Sequence, residues 1–244
     1  MPLGTPATLL VHRIAASRPD PEALEWLRAI AGQLARGEDP AAAGPAFVSA
    51  GRRIGRAPLA AGEPLPGPDD PVPTDGWTVD DAARVVLLVA AGDPALVAVL
   101  YREGDSREKR AVLRALPLLA DGGRFLELAL DAGRTNESDL FAALACDNPY
   151  PARHYGEREW NQLVMKAAFV GAPIARIRGL ERRGNRDLCR MALDYADQQE
   201  SAGRELPPDL DRLVAPFGDP ALGDRAARAA LRQSLPLSGP EDEP

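Results

Sequence analysis

Residues 111–133 read A-V-L-R-A-L-P-L-L-A-D-G-G-R-F-L-E-L-A-L-D-A-G. Leu113, Leu116, Leu119 and Ala120 recur at helical spacing and make one apolar face. Beyond Asp121-Gly122-Gly123, Phe125, Leu126, Leu128, Ala129 and Leu130 make a broader face, as in a helix buried from several sides. The same texture continues on both sides, with helices predicted near 79–91, 93–103, 106–120, 122–133 and 136–146. Short helices joined by tight turns pack against their neighbours in sequence. The expected fold is therefore all-α, with short antiparallel helices packed as a HEAT-like α-solenoid bundle. No fixed repeat length accompanies this pattern.

Composition agrees. The 244 residues include 43 Ala and 32 Leu but only 13 Val and 5 Ile. Sandwiches, barrels and large parallel sheets need β-branched residues, whereas Ala and Leu lose least on entering a helix. A net charge of −7 argues against general nucleic-acid binding, so no nucleic-acid partner is expected. No apolar run approaches the roughly 20 residues that span a bilayer, and Leu9-Leu10-Val11 is too brief for a signal-peptide core. Two cysteines (Cys146, Cys189) and two histidines (His12, His154) supply neither a disulfide scaffold nor an evident metal centre. The expectation is a cytoplasmic chain with reduced thiols and no metal or cofactor.

At the N-terminus a first helix is predicted over 6–17. Asp20-Pro21-Glu22 opens a second that Gly37 ends, and a weaker segment covers 40–55. Six prolines between Pro58 and Pro73 make residues 56–76 the clearest break in the chain. The predicted organisation is an N-terminal helical region (1–55), a Pro-rich linker (56–76), a main helical domain (77–236) and a frayed acidic tail (237–244). Within the main domain, Asn148-Pro149-Tyr150-Pro151 forces a turn. Helices follow over 156–170, from the Asn185 cap to about 203, and over 219–235. Short segments begin at Pro173 and at Pro207-Pro208.

Catalytic signatures are mostly missing: there is no Walker loop, dinucleotide fingerprint, G-x-S-x-G elbow or H-E-x-x-H. Cys146 and His154 flank the proline turn, and a Cys–His nucleophile pair competes there with a buried thiol beside an unrelated histidine. Charge carries more information. Residues 151–190 hold Arg153, Arg158, Lys166, Arg176, Arg178, Arg182, Arg183, Arg186 and Arg190 against four acids. Guanidinium forks recognise phosphate or carboxylate, and helix starts near Pro173 and Asn185 would add backbone donors. The competing reading is a solvated face with local pairs such as Arg190–Asp194. In the 156–170 helix, Trp160, Leu163, Val164 and Ala167 should pack inward. A groove lined by Asn148, Tyr150, His154, Trp160, Asn161 and Lys166 would suit a small ligand with an aromatic and a polar end. Alternatively, Asn148 and Asn161 satisfy backbone groups around the turn. Leu188, Met191, Ala192 and Tyr195 form the expected core row of the next helix, beside Cys189.

The run N-P-Y-P-A-R-H-Y (148–155), followed by E-W-N-Q-L-V-M-K-A-A-F-V-G (159–171), resembles the EboA family of bacterial proteins. R-I-R-G-L-E-R-R-G-N (176–185), M-A-L-D-Y-A (191–196) and A-G-R (202–204) are similar to it too, as are R-A-L-P-L-L (114–119) and G-R-T-N (133–136). The resemblance covers about 80–217. Two positions depart from it: Gln198-Gln199 stands where an acidic-basic pair is expected, and Asp211 where an aromatic is.

The resemblance implies a gene cluster for making or moving a small secondary metabolite. Its other members are a UbiA-like prenyltransferase, a sugar-phosphate-cyclase-like enzyme, a TatD-like hydrolase and other hydrolase-like proteins. It implies no catalytic residues. The positions that match its motif are Asn148, Tyr150, His154, Trp160, Asn161, Lys166, Arg176, Arg178, Asn185, Asp194 and Tyr195, and the basic segment adds Arg190. These twelve are the candidate ligand-binding residues. The expected function is a non-catalytic accessory protein that binds an anionic, aromatic or prenylated intermediate or docks a pathway enzyme. The alternatives are a transferase or lyase, with His154 or Tyr150 moving a proton, and a pure protein–protein adaptor.

Overall fold

A computed structural model describes residues 3–68, 70–217 and 225–235. The described residues are mainly helical, without a β-strand, and two isolated bridges, Pro58–Thr78 and Leu65–Val72, are the only extended pairings among them. The expected class, all-α with packed helices, is what the chain adopts. Two compact units succeed one another in sequence, changing over between His154 and Tyr155.

The first unit holds α1 (Thr5–Ala16), α2 (Pro21–Arg36), α3 (Ala43–Ile54), α4 (Val79–Ala91), α5 (Pro94–Glu103), α6 (Ser106–Ala115), α7 (Leu126–Gly133), α8 (Ser138–Ala145) and α9 (Tyr150–His154). Helix starts follow the local chemistry. Asp20 accepts the amide of Glu22 at 2.8 Å and Asp93 that of Ala95 at 2.9 Å. Thr78 and Asp105 form capping boxes with Asp81 and Glu108. Gly37 and Gly92 end α2 and α4 in the left-handed conformation that glycine adopts without penalty. The helix expected over 106–120 stops at Ala115, because Pro117 cannot donate to the preceding turn, and a 3-10 turn (Leu116–Leu118) follows. The pair Gly122-Gly123 likewise turns the start of the next predicted helix into 3-10 (Gly122–Phe125) ahead of α7.

Helix α4 is the centre of this unit. It packs against α1, α2, α3 and α6, and α6 in turn packs against α8. From Ala82 to Leu88 every side chain is buried, so α4 has no solvent face over two turns. Its first turn carries the charge this burial demands. Asp80 and Asp81 are fully buried and Arg84 nearly so. Arg84 donates to Asp80 at 2.8 Å and to the Phe47 carbonyl at 3.2 Å. Arg110 grips Asp81 at 2.9 and 3.1 Å, and Arg114 reaches the same carboxylate. With Glu108 4.0 Å from Arg84, three acids face three arginines. Buried charges survive only when paired in this way.

The Pro-rich segment 56–76 is fastened to helices of the first unit. Leu65 and Val72 exchange backbone hydrogen bonds at 2.8 Å, and both side chains are buried. Leu59 donates to the Trp77 carbonyl and Val79 to that of Ala57, each at 2.9 Å. From α1, Ser17 accepts the Ala60 amide at 2.8 Å and Arg13 donates to Thr74 at 2.6 Å.

The second unit holds α10 (Glu157–Val170), α11 (Leu180–Arg183), α12 (Arg186–Ser201) and α13 (Arg225–Ser234). Trp160, Leu163, Val164 and Ala167 point inward as expected, and α10 packs on α12. The buried row of α12 differs from expectation. It runs through Leu188, Cys189, Ala192, Leu193 and Ala196, while Met191 is 37% exposed. The stripe is rotated by about one residue because the edge carrying Asp194 and Asp197 is taken by α13. The start of the last predicted helix and the tail 237–244 lie outside the described residues.

Candidate functional site

A partly open cleft of about 720 Å³ lies in the first unit. The 3-10 turns on either side of Asp121 form one wall, α9 forms another, and Pro68 and Asp70 from the proline segment also line it. Its lining is half apolar (Leu116, Pro117, Leu119, Pro149) and half polar (Asp121, Arg124, Arg153, His154). A volume of this size lies within the range of clefts that admit small molecules.

Asn148, expected in the groove, is buried next to the lining residues Pro149 and Tyr150 and is not itself part of the lining. Its amide nitrogen donates to the carbonyls of Leu113 (3.0 Å) and Ala143 (2.9 Å), and its oxygen accepts the Tyr150 amide at 3.0 Å. One side chain thus ties α6, α8 and α9 together. Its three hydrogen bonds all go to backbone groups, the backbone-satisfying alternative that the proline turn offered. The Tyr150 hydroxyl donates to the Gly122 carbonyl at 2.5 Å, and the rings of Tyr150 and His154 lie 4.4 Å apart at 35°. A Cβ at Gly122 would stand 2.7 Å from His154 Nε2, so the imidazole packs directly over this glycine. Burial pushes the Tyr150 phenol well above its usual range, so it stays protonated at neutral pH. That state suits a donor and not a base. Arg153 is exposed, and Arg124 sits 3.9 Å from Asp121 with both side chains largely in solvent.

The remaining sequence-chosen residues belong to the second unit. Asn161 and Asn185 bind each other's amides at 3.0 and 2.8 Å, and Asn185 also caps α12 through the Leu188 amide at 2.8 Å. Trp160 is fully buried, with the Arg183 guanidinium 5.3 Å from its ring centroid. Arg183 also donates to the Tyr155 carbonyl at 2.9 Å. The Trp160 indole nitrogen has no acceptor among the described residues. Lys166 and Arg178 are half-buried, Arg176 is exposed, and burial lowers the Lys166 ammonium. The Tyr195 hydroxyl reaches the Ala168 carbonyl at 3.5 Å. The expected Arg190–Asp194 pair is replaced. Arg190 lies 3.9 Å from Asp187 and donates to the Leu235 carbonyl, while Asp194 binds Arg232 at 2.9 Å. Helix α13 supplies competing partners that spacing within α12 could not reveal.

Sequence reasoning names Arg153 within the basic segment but misses Asp121 and Arg124 beside it on the cleft, together with the buried Asp80–Asp81–Arg84 group. The signal for the latter was present: two acids and an arginine inside the apolar run V-D-D-A-A-R-V-V (79–86). Among the described residues no group of three or more His, Cys, Asp or Glu is placed to hold a metal ion, and no helix is long and apolar enough to cross a membrane.

Fold and cleft together define an all-helical protein with a cavity of small-molecule size. The family model described as metabolite traffic protein EboA matches residues 7–215, and the chain belongs to the EboA family. Neither the curated proteins nor the solved structures include a match to it.

Proposed function

We propose that this chain is a cytoplasmic, non-catalytic accessory protein of a small-metabolite biosynthesis or trafficking gene cluster. In this reading it binds an anionic or aromatic intermediate in the Tyr150–His154 cleft. The observation that carries the reading is the cleft itself, about 720 Å³ in volume, with aromatic rings, apolar walls and the guanidiniums of Arg124 and Arg153 on one lining. Apolar walls desolvate a ligand body, and guanidinium forks hold an acid group. The family description, metabolite traffic, supports the same role.

The stacking of α4 on α6 and α6 on α8, with α5 and α7 beside them, supports a HEAT-like scaffold. Docking of a cluster enzyme is the second way such a scaffold would serve, and the exposed Arg176 of the basic segment favours it. For a transferase or lyase, His154 remains as a proton carrier, whereas the protonated, engaged Tyr150 is poorly suited.

Isothermal calorimetry tests the ligand reading. Geranyl diphosphate and 8-anilinonaphthalene-1-sulfonate are titrated into the native chain and into Leu119→Trp, whose uncharged ring takes up cleft volume. Saturable heat from at least one probe, lost in the variant, is expected. No heat from either, or heat unchanged by the variant, removes the cleft as the site.

A further inference from the structure

The charged side chains on the Tyr150–His154 cleft balance. Arg124 and Arg153 stand on its lining with Asp70 and Asp121, two guanidiniums against two carboxylates. Part of this charge gathers at Gly122. The His154 imidazole packs over that glycine, and the Tyr150 hydroxyl donates to its carbonyl. Asp121 adjoins it in the chain, and Arg124 Nε lies 3.9 Å from the Asp121 carboxylate. Leu116, Pro117 and Leu119 line the cleft from the preceding turn and supply its apolar surface.

Asp121 keeps its carboxylate where a glycine would fit more easily. Its φ is 51°, in the left-handed region, and two glycines follow it. The Asp121 side chain is 74% exposed and that of Arg124 67%, and their separation is longer than a hydrogen bond. Such a pair is weak, and a ligand can part it, each group taking its own counter-charge. A phosphate or diphosphate brings several negative charges to a lining that already holds two carboxylates, and like charges facing each other across a site are penalised. A cation meets the same objection from the two guanidiniums. A head with one charge of each sign satisfies both.

We infer that the cleft takes a zwitterion of amino-acid type, an ammonium and a carboxylate on an apolar or aromatic body, and that Asp121 selects it over a phosphate ester. The inference rests on the cleft being the ligand site, as proposed above, and narrows the class of ligand. The carboxylate goes to the Arg124 guanidinium and the ammonium to Asp121, while the body lies on Leu116 and Leu119. Specificity then comes from repulsion as much as attraction, because the acid that holds the ammonium also turns away a second negative charge.

Isothermal calorimetry on the full chain near neutral pH compares four probes that share a naphthalene body: 3-(1-naphthyl)alanine, 1-naphthylacetate, 1-naphthyl phosphate and 1-naphthylmethylamine. Naphthylalanine is expected to bind tightest, by about threefold or more, since charges this exposed contribute a few-fold each. Asp121→Asn keeps a side chain that tolerates positive φ and removes only the charge. It should weaken naphthylalanine about threefold and strengthen naphthyl phosphate by a similar factor. Any other probe binding tightest, and lost in Leu119→Trp, overturns the zwitterion while the cleft stands. So does an order of affinities that Asp121→Asn leaves unchanged. Affinities that Leu119→Trp does not alter, or no binding by any probe, remove the cleft as the site and this inference with it.

Discussion

The side-chain amides of Asn161 and Asn185 hydrogen-bond to each other in both directions, at 3.0 and 2.8 Å. The pair locks α10 to the start of α12, where Asn185 also caps the helix. Asn185→Ala removes the cap and strands a buried amide, so it should cost about 2–3 kcal/mol. The double variant with Asn161→Ala should cost about 1 kcal/mol less than the two single changes together. Urea unfolding measures all three, and strict additivity would contradict the pairing.

Asp81 stands between Arg110 and Arg114 with no exposure of its own. Replacing it with Ala leaves two largely buried guanidiniums without their shared carboxylate. A loss of about 3–5 kcal/mol is expected, since breaking a buried pair from one side costs more than the pair contributes. A change below about 1 kcal/mol in chemical denaturation would mean the arginines find other acceptors.

Burial pushes the Cys189 thiol up to about 11. The thiolate is the reactive form, so iodoacetamide at about pH 8 should leave Cys189 untouched in the folded chain and modify it after denaturant is added. Mass spectrometry reads the site directly. Rapid alkylation of the native protein would show that α12 opens far more readily than its packing implies.

Asp197 gives a pH dependence with a definite sign. Burial alone would raise its carboxyl, but hydrogen bonds from Arg228 and Arg232 and their charges outweigh this and hold it low. Asp80 is held low by Thr78 and Arg84 against the same opposing effect of burial. The unfolded chain, with a carboxyl near pKa 3.9, therefore takes up these protons first as pH falls. Stability from both groups is complete above about pH 5 and is lost as pH drops through their folded-state values. The urea midpoint should hold from about pH 7 to pH 5 and decline below about pH 4. A midpoint that rises on acidification would refute the assignment.

Much of this was legible in the sequence. Helix existence followed from Ala–Leu periodicity, and the caps at Asp20, Asp93 and Asn185 could be read directly because capping is local. The turn at Asn148 and the closeness of Tyr150 and His154 came from a five-residue span. What could not be read depends on residues far apart in the chain. Arg124 and Arg153 meet on one cleft only after α6 and α9 are in place. Asp194 abandons its neighbour Arg190 for Arg232, 38 positions on. The buried row of α12 lies one residue from the one its apolar spacing predicts, because an edge that binds another helix does not look different, in sequence, from one that faces water.

The Asn148 carboxamide touches three helices at once. Its consequence is mechanical. Tyr150 and His154 do not hang from a loop that can wander; Asn148 fastens their helix to α6 and α8, and the Tyr150 hydroxyl fastens it again at Gly122. The cleft wall they form is therefore prearranged, and a substitution that shifts α6 or α8 would be transmitted to it.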